Sequence, residues 1–285
     1  MLFLLLPVHN RIDITRRFIE SLQAQTYQEF QIVLIDDGST DGTSAMVQRD
    51  FPSVIILRGN GNWWWAGSLH QGYLWLKSHG SPPGTMVLII NDDAVFGPEY
   101  LQTAVTRLEK LKRTLLVSNA YGIETQKLID GGVHADWRHL KFTLEQDQTK
   151  INCASTRGLF LFASDFMEIG GFHPHLLPHY TSDYEFTMRA YNKGYTLLVD
   201  ERLKLYSDES TTGFVDFRNE NSYGDFLKRL FSKKYVMNPI YYSNFIAFSC
   251  PWPWKVRNWL VIWSSTAWKL VKNAFIFVVF KRPSN

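Results

Sequence analysis

The chain has 285 residues, 45% of them apolar and 15% aromatic, so it is expected to be globular, with enough apolar side chains to bury a sizeable core. Its two cysteines, Cys153 and Cys250, match no metal or redox spacing, which argues against a disulfide framework or a zinc site and fits a reducing compartment. The net charge of +3 hides an asymmetry: every acid lies at or before Asp225, leaving −7 up to that point and +10 beyond it, where five of the ten tryptophans also fall.

The opening run Leu2–Leu6 has no basic residue ahead of it and stops at Pro7, so it reads as a buried strand rather than a signal peptide. Apolar runs predict strands at Leu2–Val8, Gln31–Asp36, Ser53–Leu57, Met86–Asn91 and Leu115–Ser118. Between them, a first helix is expected with Asp13 as its cap and Ile14, Phe18 and Leu22 on one face. Thr43–Arg49, Ala66–Ser78 and Pro98–Lys112 supply three more, the last opening on a proline at a favoured first-turn position. This alternation predicts a doubly wound α/β sheet, in which ligands bind beyond the carboxyl ends of the strands. After residue 118 shorter strands and loops follow, with a helix at Asp183–Lys193 and a strand at Thr196–Val199. Beyond Thr212 the composition turns aromatic and basic, so residues 1–212 and 213–285 are expected to form two regions.

Three strand ends are polar. The first strand runs into Pro7-Val8-His9-Asn10-Arg11 instead of a glycine-rich turn, so the fingerprint of a dinucleotide-dependent dehydrogenase is missing. The second ends in Asp36-Asp37-Gly38-Ser39-Thr40-Asp41-Gly42. Its carboxylates can accept hydrogen bonds from a ribose or a base, or the segment can form a turn in which Ser39 or Asp41 caps the next helix. The fourth runs from Met86 through Ile90 into Asn91-Asp92-Asp93. Clustered carboxylates after an aliphatic run point to a hard divalent cation, Mg²⁺ or Mn²⁺, that bridges to substrate phosphates; the alternative is a solvated turn. Adjacent carboxylates repel each other unless a positive charge offsets them, which favours the cation.

In this order and spacing, these three motifs resemble the family 2 glycosyltransferases of GT-A fold. The resemblance continues through Gly170-Gly171-Phe172, Tyr180-Thr181-Ser182-Asp183-Tyr184-Glu185 and Arg189-Ala190, covering about 210 residues. It implies a GT-A, Rossmann-like α/β fold: a mixed, mostly parallel sheet flanked by helices, here with a C-terminal helical, basic and aromatic extension. It also implies that Pro7, His9, Asn10, Asp36, Asp37, Asn60 and Asp92 surround the nucleotide. Asp93 matches the last acid of the family's DxD signature, which binds metal and diphosphate, whereas the first acid is Asn91 here. Asp208 sits near where relatives supply a histidine to the metal. Asp183 matches the general base of inverting members, although the acid usual before it is Ser182 in this chain. Trp65, Gly67, Arg157 and His179, with Asn91 and Ser182, are expected to border the donor and acceptor cleft. Of three successive tryptophans, Trp63 to Trp65, at least one should line that cleft unless they pack an interface. Arg157 could pair with a phosphate or form an ordinary salt bridge.

In the tail, no uncharged stretch is long enough to span a bilayer. A helix over Trp259–Phe280 would gather Trp259, Trp263, Thr266, Leu270, Ala274 and Phe277 on one face, with Ser265, Lys269 and Lys272 on another. Lying in a membrane interface is the first reading and packing on the catalytic domain the second; nucleic-acid binding ranks last because no known module accompanies the charge. The whole predicts a metal-dependent, inverting glycosyltransferase of hexosyltransferase type, using Mn²⁺ or Mg²⁺. It would move a sugar from a UDP, dTDP or GDP donor to a glycan or polyprenyl-linked acceptor, in the manner of rhamnosyltransferases of surface polysaccharide. Its expected place is the cytoplasmic face of the inner membrane, as a peripheral protein. A catalytically impaired sugar-nucleotide-binding protein of the same fold, or a nucleotidyltransferase, is the alternative.

Overall fold

The computed structural model describes residues 1–208 and 222–279. The expected boundary between residues 212 and 213 lies outside them. The strands are β1 (Leu2–Val8), β2 (Phe30–Asp36), β3 (Ile55–Arg58), β4 (Met86–Ile89), β5 (Thr114–Gly122), β6 (Leu128–Asp130), β7 (Gly132–Asp136), β8 (Lys141–Leu144), β9 (Cys153–Ala154), β10 (Leu159–Phe162) and β11 (Thr196–Ser207). The helices are α1 (Ile12–Gln23), α2 (Thr43–Asp50), α3 (Trp64–His79), α4 (Tyr100–Leu108), α5 (Ala163–Ile169), α6 (Ser182–Asn192), α7 (Tyr223–Leu230), α8 (Pro239–Ser249) and α9 (Trp252–Val279).

The central sheet runs β11-β5-β10-β4-β1-β2-β3, with β6 added on β5. β1, β2, β3 and β4 are parallel, and β11 is parallel to β5. β10 is antiparallel to both of its neighbours, so the residues entering β10 arrive at the edge where β4 leaves the sheet. β1 lies in the middle and is buried along its whole length. Its alternate residues feed the two faces: Leu2, Leu4, Leu6 and Val8 pack with Phe18, Leu22, Leu101 and Ala104 of α1 and α4. Phe3 and Leu5 pack with Leu69, Phe166 and Phe186 of α3, α5 and α6. This is why the strand reads as a continuous apolar run: helices cover both sides. Pro7 is tolerated in a central strand because Leu5 faces β4, accepting the Ile90 N–H at 3.3 Å, and Pro7, two residues on, faces the same side after β4 has ended.

Several expected boundaries move. α1 starts at Ile12, and Asp13 does not cap it; the Ile12 N–H is instead held at 3.0 Å by Asp41 from the β2 exit. α4 starts at Tyr100, so Pro98 precedes the helix, and Glu99 is its N-cap. A second, antiparallel sheet, β8-β7-β9, packs against α6, α8 and α9 through Val133, Cys153, Met188, Phe245 and Ile262.

The tail helix is longer than expected and turned differently. Asn258, Ile262 and Thr266 of α9 are buried against the protein, and the Trp263 ring N–H donates to Ser243 Oγ at 2.9 Å. Of the six residues gathered on one face from the sequence, Thr266 is buried, Trp259 is exposed and the other four are half-buried, so that face is divided between the packed and the exposed sides. Trp252, Val256, Leu260, Trp268, Val271 and Phe275 form the exposed side, Trp252 at 80% and Trp268 at 69%. Lys269 Nζ turns to the Tyr235 hydroxyl, 3.1 Å away. The helix is apolar on nearly every side, so the pattern alone could not select its buried face. Among the described residues no helix is long and apolar enough to cross a membrane.

Candidate active site

A cleft of about 750 Å³ opens where β1, β2 and β4 leave the central sheet and β10 enters it. This volume is in the range of small-molecule sites. Its wall takes Pro7, His9 and Arg11 from the β1 exit, Asp37 from the β2 exit, and Asn91, Asp92 and Asp93 from the β4 exit. Trp64, Trp65 and Ser68 enter from α3, Ser155 and Arg157 from the approach to β10, and His179 to Tyr184 from the start of α6, with Ser182 turned away. Asp130, Lys234 and Val236 complete it.

Asp37 organises one wall. Its Oδ1 accepts the N–H groups of Gly61 and Trp63 at 2.9 and 3.1 Å, and its Oδ2 accepts that of Trp64 at 2.8 Å. The carboxylate thus satisfies the orphan amides at the start of α3 and offsets the positive helix end. Trp64 is held at φ 58, a backbone state that a bulky residue rarely adopts, with its ring against His179. Gly38, at φ 69, makes this approach possible: a Cβ there would lie 2.5 Å from Gly61 N. His9 Nδ1–H donates to the Asp37 carbonyl at 2.7 Å, which ties the β1 exit to the same turn.

Other residues expected at the nucleotide, the metal or the cleft lie off the cleft wall. Asp36 is buried and accepts the Ser39 N–H at 2.8 Å and the Ser44 hydroxyl, so it shapes the turn instead of facing the cleft. Asn10 is exposed, and its Oδ1 accepts the Thr40 N–H at 2.7 Å. Asn60 is exposed and accepts the Asn62 N–H at 3.2 Å. Gly67 packs under Trp63 and Pro174. Ser182 is buried and donates to the His179 carbonyl at 2.6 Å, closing the turn into α6. Asp208 is exposed just past the end of β11 and does not line the cleft.

The acidic turn is not bare. Arg11 Nε lies 3.1 Å from Asp92 Oδ1, and Arg11 Nη2 lies 3.7 Å from Asp93 Oδ2. Asp92 is buried and also accepts the Thr15 hydroxyl at 2.8 Å. Burial pushes its carboxyl up to about 6, against the opposing pull of Arg11 and Thr15. The repulsion between the adjacent carboxylates, which favours a metal, is therefore partly relieved by Arg11. The Oδ1 atoms of Asn91 and Asp93 are both buried without a hydrogen-bond partner. Such oxygens suit a hard cation, although among the described residues no group of three His, Cys, Asp or Glu could hold one. The fit is thus to a cation that takes one or two protein oxygens and its remaining ligands from phosphate and water, as Mg²⁺ commonly does.

Across the cleft, Asp183 stands in the first turn of α6, its Oδ1 accepting the Tyr184 N–H at 2.9 Å. Burial, reinforced by the charge of Asp130, raises its carboxyl to about 7, although the Tyr184 N–H and Arg157 oppose the shift. Thr181, just before α6, has φ 64, rare for a β-branched residue. Two strained residues, Trp64 and Thr181, therefore border one cleft. Arg157 lies 3.8 Å from Asp130 and donates to Ser207 Oγ at 2.8 Å, so it is ion-paired and within the cleft at once. Its position depends on Gly158, at φ 73, where a Cβ would lie 2.6 Å from both Tyr100 Oη and Leu205 Cδ2.

Asp130 and Lys234 are not suggested by the sequence, whereas Trp64 and Trp65 are two of the three tryptophans of which at least one is expected to line the cleft. Asp130 ends a three-residue strand ahead of Gly131-Gly132, a strand-end acid of the same type as Asp93. Lys234 comes from the basic tail, and only the folded path of the chain brings it back to the cleft.

The model of the glycosyl transferase family 2 matches residues 4–165, more than half of the chain. The chain belongs to glycosyl transferase family 2. An uncharacterised glycosyltransferase of Rickettsia prowazekii is 24% identical over 249 residues, 82% of this chain and 74% of that protein. The N-acetylglucosaminyl-diphospho-decaprenol L-rhamnosyltransferase of Mycobacterium tuberculosis is 24% identical over 182 residues, 55% of this chain and 59% of the relative. Among solved structures, TarS of S. aureus superposes with a TM-score of 0.57 at 17% identity, covering 88% of this chain and 49% of TarS. GalNAc-T7, solved with UDP, GalNAc and Mn²⁺, superposes with a TM-score of 0.62 at 13% identity, covering 86% of this chain and 47% of that one. The chain thus spans about half the length of these two structural relatives. The fold is GT-A: a mixed, mostly parallel sheet flanked by helices, with a C-terminal helical extension.

Proposed function

We propose that this family 2 enzyme transfers a sugar, with inversion, from a nucleoside diphosphate donor to a hydroxyl of a glycan acceptor carried on a polyprenyl diphosphate. One observation carries the reading: Asp183, with its raised proton affinity, and the acidic turn Asn91–Asp93, with two unpartnered buried oxygens, line the same cleft. The donor nucleotide lies along Pro7, His9 and Asp37, with its diphosphate toward Asp93. A Mn²⁺ or Mg²⁺ ion held by Asp93, assisted by Asn91, would neutralise that diphosphate. Asp183 accepts the proton of the acceptor hydroxyl as its oxygen bonds to the anomeric carbon. The bond from that carbon to the diphosphate oxygen breaks, and the nucleoside diphosphate departs with the bonding electron pair. A carboxyl raised to about 7 is half ionised near neutral pH, which suits a general base.

The donor on this reading is a sugar of UDP, dTDP or GDP; TarS has been solved with UDP-GlcNAc and with UDP. The lipid-linked acceptor rests on the name of the Mycobacterium tuberculosis relative and on the tail. The exposed apolar side of α9, in a segment with no acid and ten basic residues, suits an anionic membrane surface where such an acceptor resides. On this reading the chain works as a peripheral protein at the cytoplasmic face of the membrane. Turnover of a panel of nucleotide sugars with Mn²⁺, on native and Asp183→Asn protein, tests the assignment. Release of nucleoside diphosphate by native protein, lost in the variant while nucleotide binding persists, is the expected result. Equal turnover by both rules out the base, and release of pyrophosphate indicates nucleotidyl transfer instead.

A further inference from the structure

The acidic turn contains its own cation. Arg11 is the fifth residue of the β1 exit motif, and its guanidinium reaches Asp92 at 3.1 Å and Asp93 at 3.7 Å. Its side chain is 30% exposed at the cleft wall, whereas those of Asp92 and Asp93 are 2% and 11% exposed. The family's first signature acid is Asn91 here, which removes one negative charge from the turn. Arg11 offsets another, so a turn that would carry three formal negative charges carries one. A dianionic or trianionic diphosphate approaching Asp93 meets correspondingly less repulsion, and a divalent cation meets correspondingly less attraction. Lys234 adds a further positive charge to the same wall.

We propose that Arg11 is a resident counter-ion of the donor site, which partly takes the place of the divalent cation in nucleoside diphosphate binding and competes with that cation for Asp93. This rests on the sugar-nucleotide reading of the cleft. Its consequence is a donor site with a metal-independent component of affinity and a weak affinity for metal alone. The guanidinium is suited to this because it is permanently charged and can pair with phosphate as well as with carboxylate.

The test measures UDP, dTDP and GDP binding by calorimetry in EDTA and in Mn²⁺, and Mn²⁺ binding without nucleotide by electron paramagnetic resonance. Native protein, Arg11→Met and Arg11→Lys are compared, with thermal unfolding to confirm that each folds. Native protein is expected to bind its nucleotide in EDTA within about tenfold of its affinity in Mn²⁺. Arg11→Met should lose about tenfold or more in EDTA, recover most of it in Mn²⁺, and bind Mn²⁺ alone several-fold tighter than native protein does. Arg11→Lys, which keeps the charge, should fall between the two. An unchanged Mn²⁺ affinity in Arg11→Met, or an equal loss of nucleotide affinity with and without metal, overturns the proposal. If native protein binds no nucleotide in either condition, the sugar-nucleotide reading fails. The Mn²⁺ measurement then still decides whether Arg11 competes for Asp93.

Discussion

Burial and, after it, the charge of Asp130 raise the proton affinity of Asp183, and Arg157, ion-paired to Asp130 at 3.8 Å, offsets the shift only in part. Activity at limiting substrate should therefore rise with pH and level off above about 7. Asp130→Asn removes the repulsion, so the acidic limb should move to lower pH while the plateau changes little. A pH–rate profile of the two proteins checks this. A limb that stays in place means that another group titrates.

Asp183→Asn should separate function from stability. Loss of a general base is expected to lower turnover by about 10²–10⁴-fold. The carboxyl is raised to about 7 in the folded protein from its ordinary 3.8, so the native state retains a proton that the unfolded chain releases. Stability from this group is thus present below about pH 4 and is lost as pH rises through about 7. Asparagine escapes that loss and keeps an acceptor for the Tyr184 N–H. The variant should melt higher than native protein at pH 8 and by a much smaller margin at pH 5. Thermal unfolding at the two pH values is the measurement, and a lower melting temperature at pH 8 contradicts the assigned burial of the charge.

The sequence made the centre of the sheet legible because burial on both faces leaves unbroken apolar runs such as Leu2–Leu6 and Met86–Ile90. It also drew attention to Asn91–Asp93 and Asp183, which stand where secondary structure begins or ends. It left Asp36 open between two roles, because a carboxylate at a strand end has the same appearance whether it meets a ligand or the hydroxyl of Ser44. Nothing local announces that the amides of Gly61, Trp63 and Trp64 will converge on Asp37. Nor could spacing show Asp130 and Lys234 in one cleft, since long-range packing alone brings them there.

Asp37 is expected to be as important for stability as for binding. Its two oxygens accept three backbone amides, and no neutral side chain of that size offers two acceptor oxygens. Asp37→Asn would direct an NH₂ group at one or more of those amides, and Asp37→Ala would leave all three without it. Either change should cost on the order of 2–3 kcal/mol. It should also release Trp64 from its left-handed backbone. Chemical denaturation measures the loss, and Trp64 fluorescence against a Trp64→Phe control reports the ring. A stability change within about 0.5 kcal/mol, as at an ordinary surface site, counts against the anchoring role.

The two sides of α9 should respond in opposite ways. Trp252, Trp268 and Phe275 are 80%, 69% and 62% exposed, so replacing all three with serine removes little native packing. If this side enters a membrane interface, the triple variant should lose on the order of tenfold or more in co-sedimentation with phosphatidylglycerol vesicles, because each ring carries a substantial apolar area into the bilayer. Its melting temperature should stay near that of native protein. Binding of native protein should also weaken as salt rises, since the basic residues of the tail attract anionic lipid at about 1 kcal/mol each near the surface. Ile262→Ser, on the packed side and 4% exposed, should instead lower the melting temperature, by the 2–4 °C or so that each kcal/mol is worth in a chain of this size. Equal vesicle binding by the native and triple-serine proteins would remove the membrane from the account of this helix, and self-association lost in the same variant would point to a second copy of the chain as what covers it.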